Sequence, residues 1–192
     1  MRSRGLFGVL VLVLLLVLPG CAGASIGWFE LARTSNTNST LWWKYALDND
    51  MVYTGSAWRA GTGSTTACNQ VGRGWLPVGW YDTWGHWDNY DGLIKGRVFY
   101  LQDKRCGDGT LRTELFIHSE ETASNGQYCP SGYDDPYCWE SWMDYYSSGC
   151  IKLAHANNGF PDAIGAAHWE WHNRFGSGAH GSYGLYHRLY VG

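Results

Sequence analysis

The sequence predicts a mainly β domain with one helix near the C-terminus. Glycine and turn-forming residues interrupt residues 25–108 throughout, and no helical period appears there. The short runs between these turns are rich in aromatic and β-branched residues, which is typical of strands. The predicted strands are Leu41 to Ala46, Met51 to Tyr53, Trp75 to Trp80, Arg97 to Leu101 and Leu111 to His118.

The best helix candidate is the segment from Pro161 to Phe175. Proline suits the first turn of a helix, because its missing N–H would have no partner there, and Gly176 suits the stop. In the strand before this region, alternation of side chains places Glu114, Phe116 and His118 on one face. His118 is therefore expected at the end of a strand.

The first 24 residues have the form of a secretory signal peptide. Two arginines precede an apolar run from Leu6 to Leu18, and small residues follow it. The sequence before Cys21 also resembles a lipobox, so two mature forms stay open: cleavage after Ala24, or cleavage before Cys21 with a lipid attached there. We expect a protein that is secreted to the cell wall or lipid-anchored on the outer face of the cytoplasmic membrane.

The length and composition favour one monomeric domain. Residues 25–40 are expected to be a linker and residues 41–192 the folded domain. The net charge is −3 and no basic run occurs, so we expect no binding to nucleic acid, and membrane contact only through a lipid on Cys21. The 12 tryptophans and 13 tyrosines indicate either a β-rich core or a cleft that stacks on sugars.

The six cysteines stand at positions 21, 68, 106, 129, 138 and 150. Cys21 belongs to the export signal, and the remaining five cannot all pair within one chain. Cys129 and Cys138 flank a turn-rich loop, and Cys68 and Cys106 lie in Gly-rich turns, so we predict these two disulfides. Cys150 is then the free thiol, although its pairing with one of the other four stays an alternative.

The residues around Cys150 favour a nucleophile. Gly149 leaves room for substrate and permits a tight turn, in which main-chain N–H groups near Cys150 can bind an oxyanion. His118 is the candidate base, and the main-chain carbonyl of Ser119 is expected to orient its ring. An adjacent imidazole is expected to lower the pKa of the thiol.

Two segments in this order, Phe116-Ile117-His118-Ser119 and Ser147 to Leu153, resemble the L,D-transpeptidase catalytic domain. The signature of that family is a histidine, a stretch of chain, and then Ser/Thr-His-Gly-Cys followed by an apolar and a basic residue. The segment from Gly74 to Tyr81 is similar to a Pro-x-Gly-x-aromatic strand of the family. Two features depart from the family: the stretch 119–146 is longer, and Ser148 stands where a histidine is usual.

The resemblance implies an L,D-transpeptidase-like β-sandwich or barrel with a C-terminal helix, and acyl transfer on peptidoglycan stem peptides through a thioester on Cys150. An amine would resolve the thioester as a cross-link, whereas water would make the protein an L,D-carboxypeptidase or endopeptidase. His118 would be the base, and the N–H groups near Gly149 would hold the oxyanion. Lys152, Arg112 and Ser148 would contact the substrate, with Lys152 and Arg112 holding a stem carboxylate. No cofactor is implied.

Two other patterns in the sequence concern a metal site and glycan binding. His168 and His172 are four residues apart on the predicted helix, but Glu170 does not directly follow the first histidine as the zinc metalloprotease motif requires. We therefore expect no metal site.

The alternative function is a non-catalytic module that binds cell-wall glycan through its tryptophans and in which Cys150 is inert. The tryptophans expected to contact glycan are Trp80, Trp84 and Trp87.

Overall fold

The computed structural model describes residues 26–47, 51–130, 135–176 and 185–192. The predicted signal peptide, with Cys21, lies outside these residues. The described elements are, in chain order, β1 Ile26–Ala32, β2 Ser39–Ala46, β3 Val52–Thr62, β4 Gly79–Asp91, β5 Lys95–Leu101, β6 Lys104–Arg105, β7 Leu111–Arg112, β8 Leu115–His118, a 3-10 helix Trp142–Tyr145, β9 Ile151–Leu153, helix α1 Ala163–Phe175 and β10 Leu185–Val191.

Eight of the described strands close into a barrel, in the order β1-β10-β4-β5-β8-β9-β3-β2. Two neighbouring pairs are parallel: β1 with β10, and β8 with β9. The other neighbours are antiparallel, and β6 and β7 form a separate two-stranded sheet. The predicted mainly β architecture with a C-terminal helix is confirmed.

The interior of the barrel is filled by apolar side chains at alternate strand positions. β1 buries Phe29 and Leu31, and β2 buries Leu41 and Trp43. This period of two is what a strand with one face turned inward requires. Full burial of side chains of this size stabilises the fold by about 1.5–3 kcal/mol each.

Helix α1 ends at Phe175 as predicted, but it begins at Ala163 rather than at Pro161, with Asp162 as its N-cap. The side chain of Asp162 accepts a hydrogen bond from the Gly165 N–H at the first turn, and Gly176 follows the last turn with a φ of 82°. Trp171 packs against Phe29 and Phe99 of the barrel, at ring-centroid distances of 6.0 and 5.0 Å. No helix among the described residues is long and apolar enough to cross a membrane.

The expected linker 25–40 is wrong, because β1 and the start of β2 lie in it. The alternating burial of residues 27, 29 and 31 places β1 in the barrel wall between β2 and β10. The predicted strand Leu111 to His118 is also divided in two. Glu114 has a φ of 55°, which no strand residue adopts, so β8 starts only at Leu115.

Two further strand boundaries differ from the prediction. β4 starts at Gly79 rather than Trp75, because Pro77 lacks the N–H that a strand pairing needs. The strand predicted for Met51 to Tyr53 begins at Val52 and continues to Thr62, with two glycines inside it.

Both predicted disulfides are present. Cys68 is bonded to Cys106, and Cys129 to Cys138, with Cα–Cα distances of 5.9 and 5.0 Å. Cys150 is the free cysteine among the described residues. Disulfides of this kind are typical of proteins that fold in an oxidising, extracytoplasmic compartment.

Candidate active site

The parallel pairing of β8 and β9 brings His118 close to Cys150. Ile117 lies opposite Ile151, and His118 lies opposite Lys152. Both isoleucines are buried in the barrel, so the residues on either side of them face the other way. Cys150, one residue before β9, therefore shares a face with His118.

This face borders a cleft of about 770 Å³. That volume is within the range of about 300–1,000 Å³ typical of ligand sites. The predicted site residues that line the cleft are Cys150, His118, Ser119, Ser148, Arg112 and Lys152. Sequence reasoning thus identified side chains that the fold brings together from three separate segments.

Main-chain groups of the β8 region hold the thiol of Cys150. The S–H group donates to the Glu114 carbonyl oxygen at 3.7 Å, and the Phe116 N–H donates to the sulfur. Burial raises the pKa of the Cys150 thiol to about 11, and the Phe116 N–H and the charges of Lys152 and Arg112 oppose this increase only in part. The expectation of a lowered thiol pKa is therefore wrong, because burial outweighs the nearby positive charges.

His118 is a neutral base at neutral pH. Its Nδ1 atom lies 2.8 Å from the main-chain oxygen of Ser119. A carbonyl oxygen can only accept, so Nδ1 carries the hydrogen and the lone pair is on Nε2. Burial, followed by the charge of Lys152, lowers the pKa of His118 to about 3. The contact predicted between Ser119 and this ring is present.

The resting site has no hydrogen bond between His118 and Cys150 among the described contacts. The thiol of Cys150 is hydrogen-bonded to the main-chain oxygen of Glu114, and the imidazole ring of His118 is hydrogen-bonded to the main-chain oxygen of Ser119. Hydrogen bonds between a nucleophile and its base are often long in a site without substrate and shorten when substrate binds. The arrangement therefore contains both partners of a nucleophile–base pair without a preformed ion pair.

The hydroxyl group of Ser147 forms three hydrogen bonds that fix the loop before Cys150. Its Oγ atom donates to the Cys150 carbonyl at 2.6 Å and accepts from the N–H groups of Gly63 at 2.8 Å and Gly149 at 3.1 Å. The Gly149 N–H thus already has a partner in the Ser147 hydroxyl, which argues against its expected part in an oxyanion hole. Sequence reasoning did not assign Ser147 a role, although a serine before a Gly-containing turn is a known signal of such side-chain bonds.

Gly149 is required where it stands by its contact with Arg112. Its φ is 110°, and a Cβ atom there would lie 2.0 Å from Nη2 of Arg112. Arg112 is buried, and its Nη1 atom donates to the carbonyls of Cys68, Gly74 and Trp75 at 2.7, 3.2 and 3.0 Å. The guanidinium group is thus fixed beside the nucleophile.

Lys152 does not present a free charge to the cleft. Its ammonium group forms an ion pair with the Glu120 carboxylate, and the two residues are only 9% and 7% exposed. A substrate carboxylate would therefore have to compete with Glu120 for Lys152. The charge of Lys152 instead acts on His118.

Three aromatic side chains, Tyr90, Tyr100 and Phe116, also line the cleft. The ring of Tyr100 stacks on Phe116 at 4.7 Å, and Tyr90 lies 5.9 Å from Phe116. Sequence reasoning missed the two tyrosines, because they come from the β4–β5 hairpin, far from the cysteine in sequence. The three tryptophans expected to bind glycan, Trp80, Trp84 and Trp87, do not line this cleft.

A second cluster of polar side chains lies where α1 packs on β4. His86 and Asp88 come from β4, and His168 and His172 from α1, and their donor atoms lie close enough together to hold a metal ion. Burial lowers the pKa of His168 to about 4. The pKa of Asp88 is lowered to about 2, mainly by its hydrogen bond with His168. The expectation of no metal site considered only the two helix histidines and missed both β4 residues.

No protein-family model matches the chain, and no solved structure matches it. We therefore infer function from the geometry of the cleft and from the sequence signature around Cys150.

Proposed function

We propose that the protein is a secreted cysteine acyl-transfer enzyme that acts on peptidoglycan stem peptides, as an L,D-transpeptidase or an L,D-carboxypeptidase or endopeptidase. One observation carries the proposal: a free cysteine and a neutral histidine, with its lone pair on Nε2, line the same cleft. The likeness of their flanking residues to the L,D-transpeptidase signature supplies the substrate class.

In the first half-reaction the Cys150 sulfur attacks a stem-peptide carbonyl carbon while Nε2 of His118 takes the thiol proton. The carbonyl oxygen becomes an oxyanion that accepts from the Cys150 N–H. The C–N bond then breaks, the leaving amine takes the proton back from His118, and a thioester remains on the sulfur. In the second half-reaction an amine or a water attacks the thioester, His118 takes its proton, and the thiolate leaves and regains a proton.

The pKa values of the resting site decide how the proton moves. Burial raises the pKa of the Cys150 thiol and lowers the pKa of the His118 imidazole, so a full proton transfer before the attack is unfavourable. Proton transfer during the attack avoids a fully charged intermediate, so general-base catalysis fits this site better than a preformed thiolate.

Arg112 is the group best placed to recognise the substrate. Its guanidinium is held by three carbonyls on Nη1, and Nη2 lies against Gly149, next to the nucleophile. A fixed guanidinium binds a carboxylate strongly and directionally. The carboxylate of a D-amino acid or a meso-diamino acid in a stem peptide is the ligand that this position fits.

The test is incubation of the purified mature protein with peptidoglycan and with soluble muropeptides, read by mass spectrometry. We expect cross-linked or trimmed muropeptides and a thioester adduct on Cys150 that neutral hydroxylamine removes. Cys150→Ala and His118→Ala should abolish turnover. His155→Ala is the matched control, because His155 does not line the cleft. Processing by Cys150→Ala at the wild-type rate would end the proposal.

A glycan-binding module is the second candidate. Trp80 and Trp84 lie on β4 and are 41% and 37% exposed, away from the cleft. Exposed aromatic rings of this kind can stack on sugars. If binding is the function, Trp80→Ala and Trp84→Ala should reduce sedimentation with peptidoglycan, while Cys150→Ala should bind normally and the wild type should not alter muropeptides.

A further inference from the structure

Four donor atoms from β4 and α1 converge on one point. The Nε2 atom of His86 lies 3.0 Å from Nδ1 of His168 and 3.1 Å from Nε2 of His172. The Oδ1 atom of Asp88 lies 3.5, 3.1 and 3.2 Å from these same three nitrogens. Five of the six distances among the four atoms therefore fall between 3.0 and 3.5 Å.

These distances match a tetrahedral metal centre. Zn²⁺ binds imidazole nitrogens and carboxylate oxygens at about 2.0–2.2 Å, which places the ligands of a regular tetrahedron about 3.3–3.6 Å apart. One donor atom from each of the four residues lies within 4.8 Å of the other three, so a single cation can contact all four. A proton can bridge only one pair of these atoms, whereas a cation at the centre contacts all four.

The surroundings of the cluster suit a metal site. His86 and His168 are only 1% and 3% exposed, whereas the side chains of His172 and Asp88 are 27% and 33% exposed. The ring of Phe99 lies 4.3 Å from that of His168 and walls off the inner side. The exposed side of the cluster lets a cation enter, and the apolar ring of Phe99 keeps water away from the inner side.

The helix histidines are four residues apart, so they share a face of α1. Glu170, between them, is directed elsewhere, because it accepts from Ser56 Oγ of β3 at 2.5 Å. The absence of a metalloprotease glutamate is thus no argument against a metal: it excludes only a hydrolytic site of that type.

We propose that His86, Asp88, His168 and His172 form a tetrahedral site for a divalent transition-metal cation, with Zn²⁺ as the ion that fits best. All four positions of the tetrahedron are filled by the protein, which is the mark of a structural site rather than a catalytic one. The cation ties α1 to β4 and closes the contact between the helix and the barrel. None of the four residues lines the cleft of Cys150.

The experiment uses the mature protein after dialysis against a chelator, in the wild type and in Cys150→Ser, which removes the thiol as a competing ligand. Calorimetric titration with zinc sulfate should give one bound ion per chain in both forms and a raised Tm. Cobalt chloride should give the intense visible absorption of tetrahedral Co²⁺. Normal binding by Cys150→Ser, which is inactive in acyl transfer, separates this site from the proposed catalysis.

Two ligand variants and one control decide the assignment. His172→Ala and Asp88→Asn change partly exposed residues, and each should weaken Zn²⁺ binding by about a hundredfold or more. Glu170→Gln, on the same helix, should bind as the wild type does. If a ligand variant does not fold, the cobalt spectrum of the wild type still tests the geometry. Failure of the stripped wild type to bind, or binding by both ligand variants as tight as that of the wild type, would overturn the proposal.

Discussion

The thiol of Cys150 donates to the main-chain oxygen of Glu114, 3.7 Å away, rather than to His118. The sulfur thus rests as a neutral thiol against the β8 region, and burial raises its pKa to about 11. In the proposed reaction, substrate binding has to bring the sulfur and the imidazole into contact.

The first prediction concerns the reactivity of this resting thiol. At pH 7, Cys150 should react with iodoacetamide at least about tenfold more slowly than a simple thiol of pKa about 8.5, because its smaller thiolate fraction outweighs the higher reactivity of each thiolate. The rate should rise steeply with pH towards 11. Peptide mapping by mass spectrometry gives the rate, and Cys150→Ser supplies the blank. Alkylation faster than that of the simple thiol at pH 6 to 7 would show a preformed thiolate instead.

The second prediction concerns Gly149. Gly149→Ala should lose most activity and about 1–3 kcal/mol of unfolding free energy, because a positive φ strains any residue with a Cβ and this Cβ would displace Arg112. Gly109→Ala is the control, since Gly109 has a φ of 91° but no atom within 4 Å of the added Cβ. It should lose stability but keep activity. Equal activity loss in both variants would mean that strain alone, and not the contact with Arg112, matters.

The third prediction separates two adjacent serines. Ser147→Ala should reduce kcat strongly, because three hydrogen bonds that shape the cysteine loop are lost. Ser148→Ala should change kcat little, because Ser148 is exposed and only borders the cleft. Steady-state kinetics on a muropeptide, with circular dichroism to check folding, measures the difference. The reverse order of effects would contradict this assignment.

The fourth prediction concerns the buried ion pair of Lys152 and Glu120. Lys152→Met should destabilise the fold by about 3–5 kcal/mol, because it removes the ammonium group that pairs with the buried Glu120 carboxylate. It should also raise the pKa of His118, since the charge of Lys152 lowers that value. Urea unfolding and NMR titration of the imidazole provide the two measurements. A second change, Glu120→Gln, should restore part of the lost stability, and no recovery would argue against the pair.

The fifth prediction is a pH dependence of stability. The pKa of His118 is about 3 in the folded protein and about 6.5 when unfolded, so the unfolded chain binds more protons between these values. This contribution to stability is complete above pH 6.5 and is lost as the pH falls towards 3. Between pH 7 and 5 the wild type should lose about 2 kcal/mol more than His118→Gln does. Parallel stability curves for the two proteins would contradict the buried, neutral state of His118.

The sequence alone was sufficient to predict several features that depend on residues close together in the chain. The end of helix α1 follows from Gly176, although the helix starts two residues after Pro161, and the alternation before His118 places its side chain on the outer face. The two disulfides follow from parity and from turn residues. Except for the Cys68–Cys106 bond, which spans 38 residues, these features are decided within short stretches of the chain.

The features that were missed depend on contacts between distant segments. Burial of the thiol of Cys150 is set by the strands around it, so the direction of its pKa could not be read from a nearby histidine. The cluster of His86 and Asp88 with the α1 histidines exists only because the helix packs on β4. β1 was taken as linker because its alternation was not weighed against the loop residues that follow it.

The parallel pairing of β1 with β10 has a consequence for how the protein matures. β1 and β10 are the first and last strands of the described chain and pair in parallel, with Phe29 opposite Leu189, so the ring cannot close until the last strand has arrived. Until then, β1 has one unpaired edge, to which another chain could add. Contacts this distant in sequence also slow folding. Removal of β10 would leave β1 and β4 both open, and such a truncated chain should aggregate rather than fold.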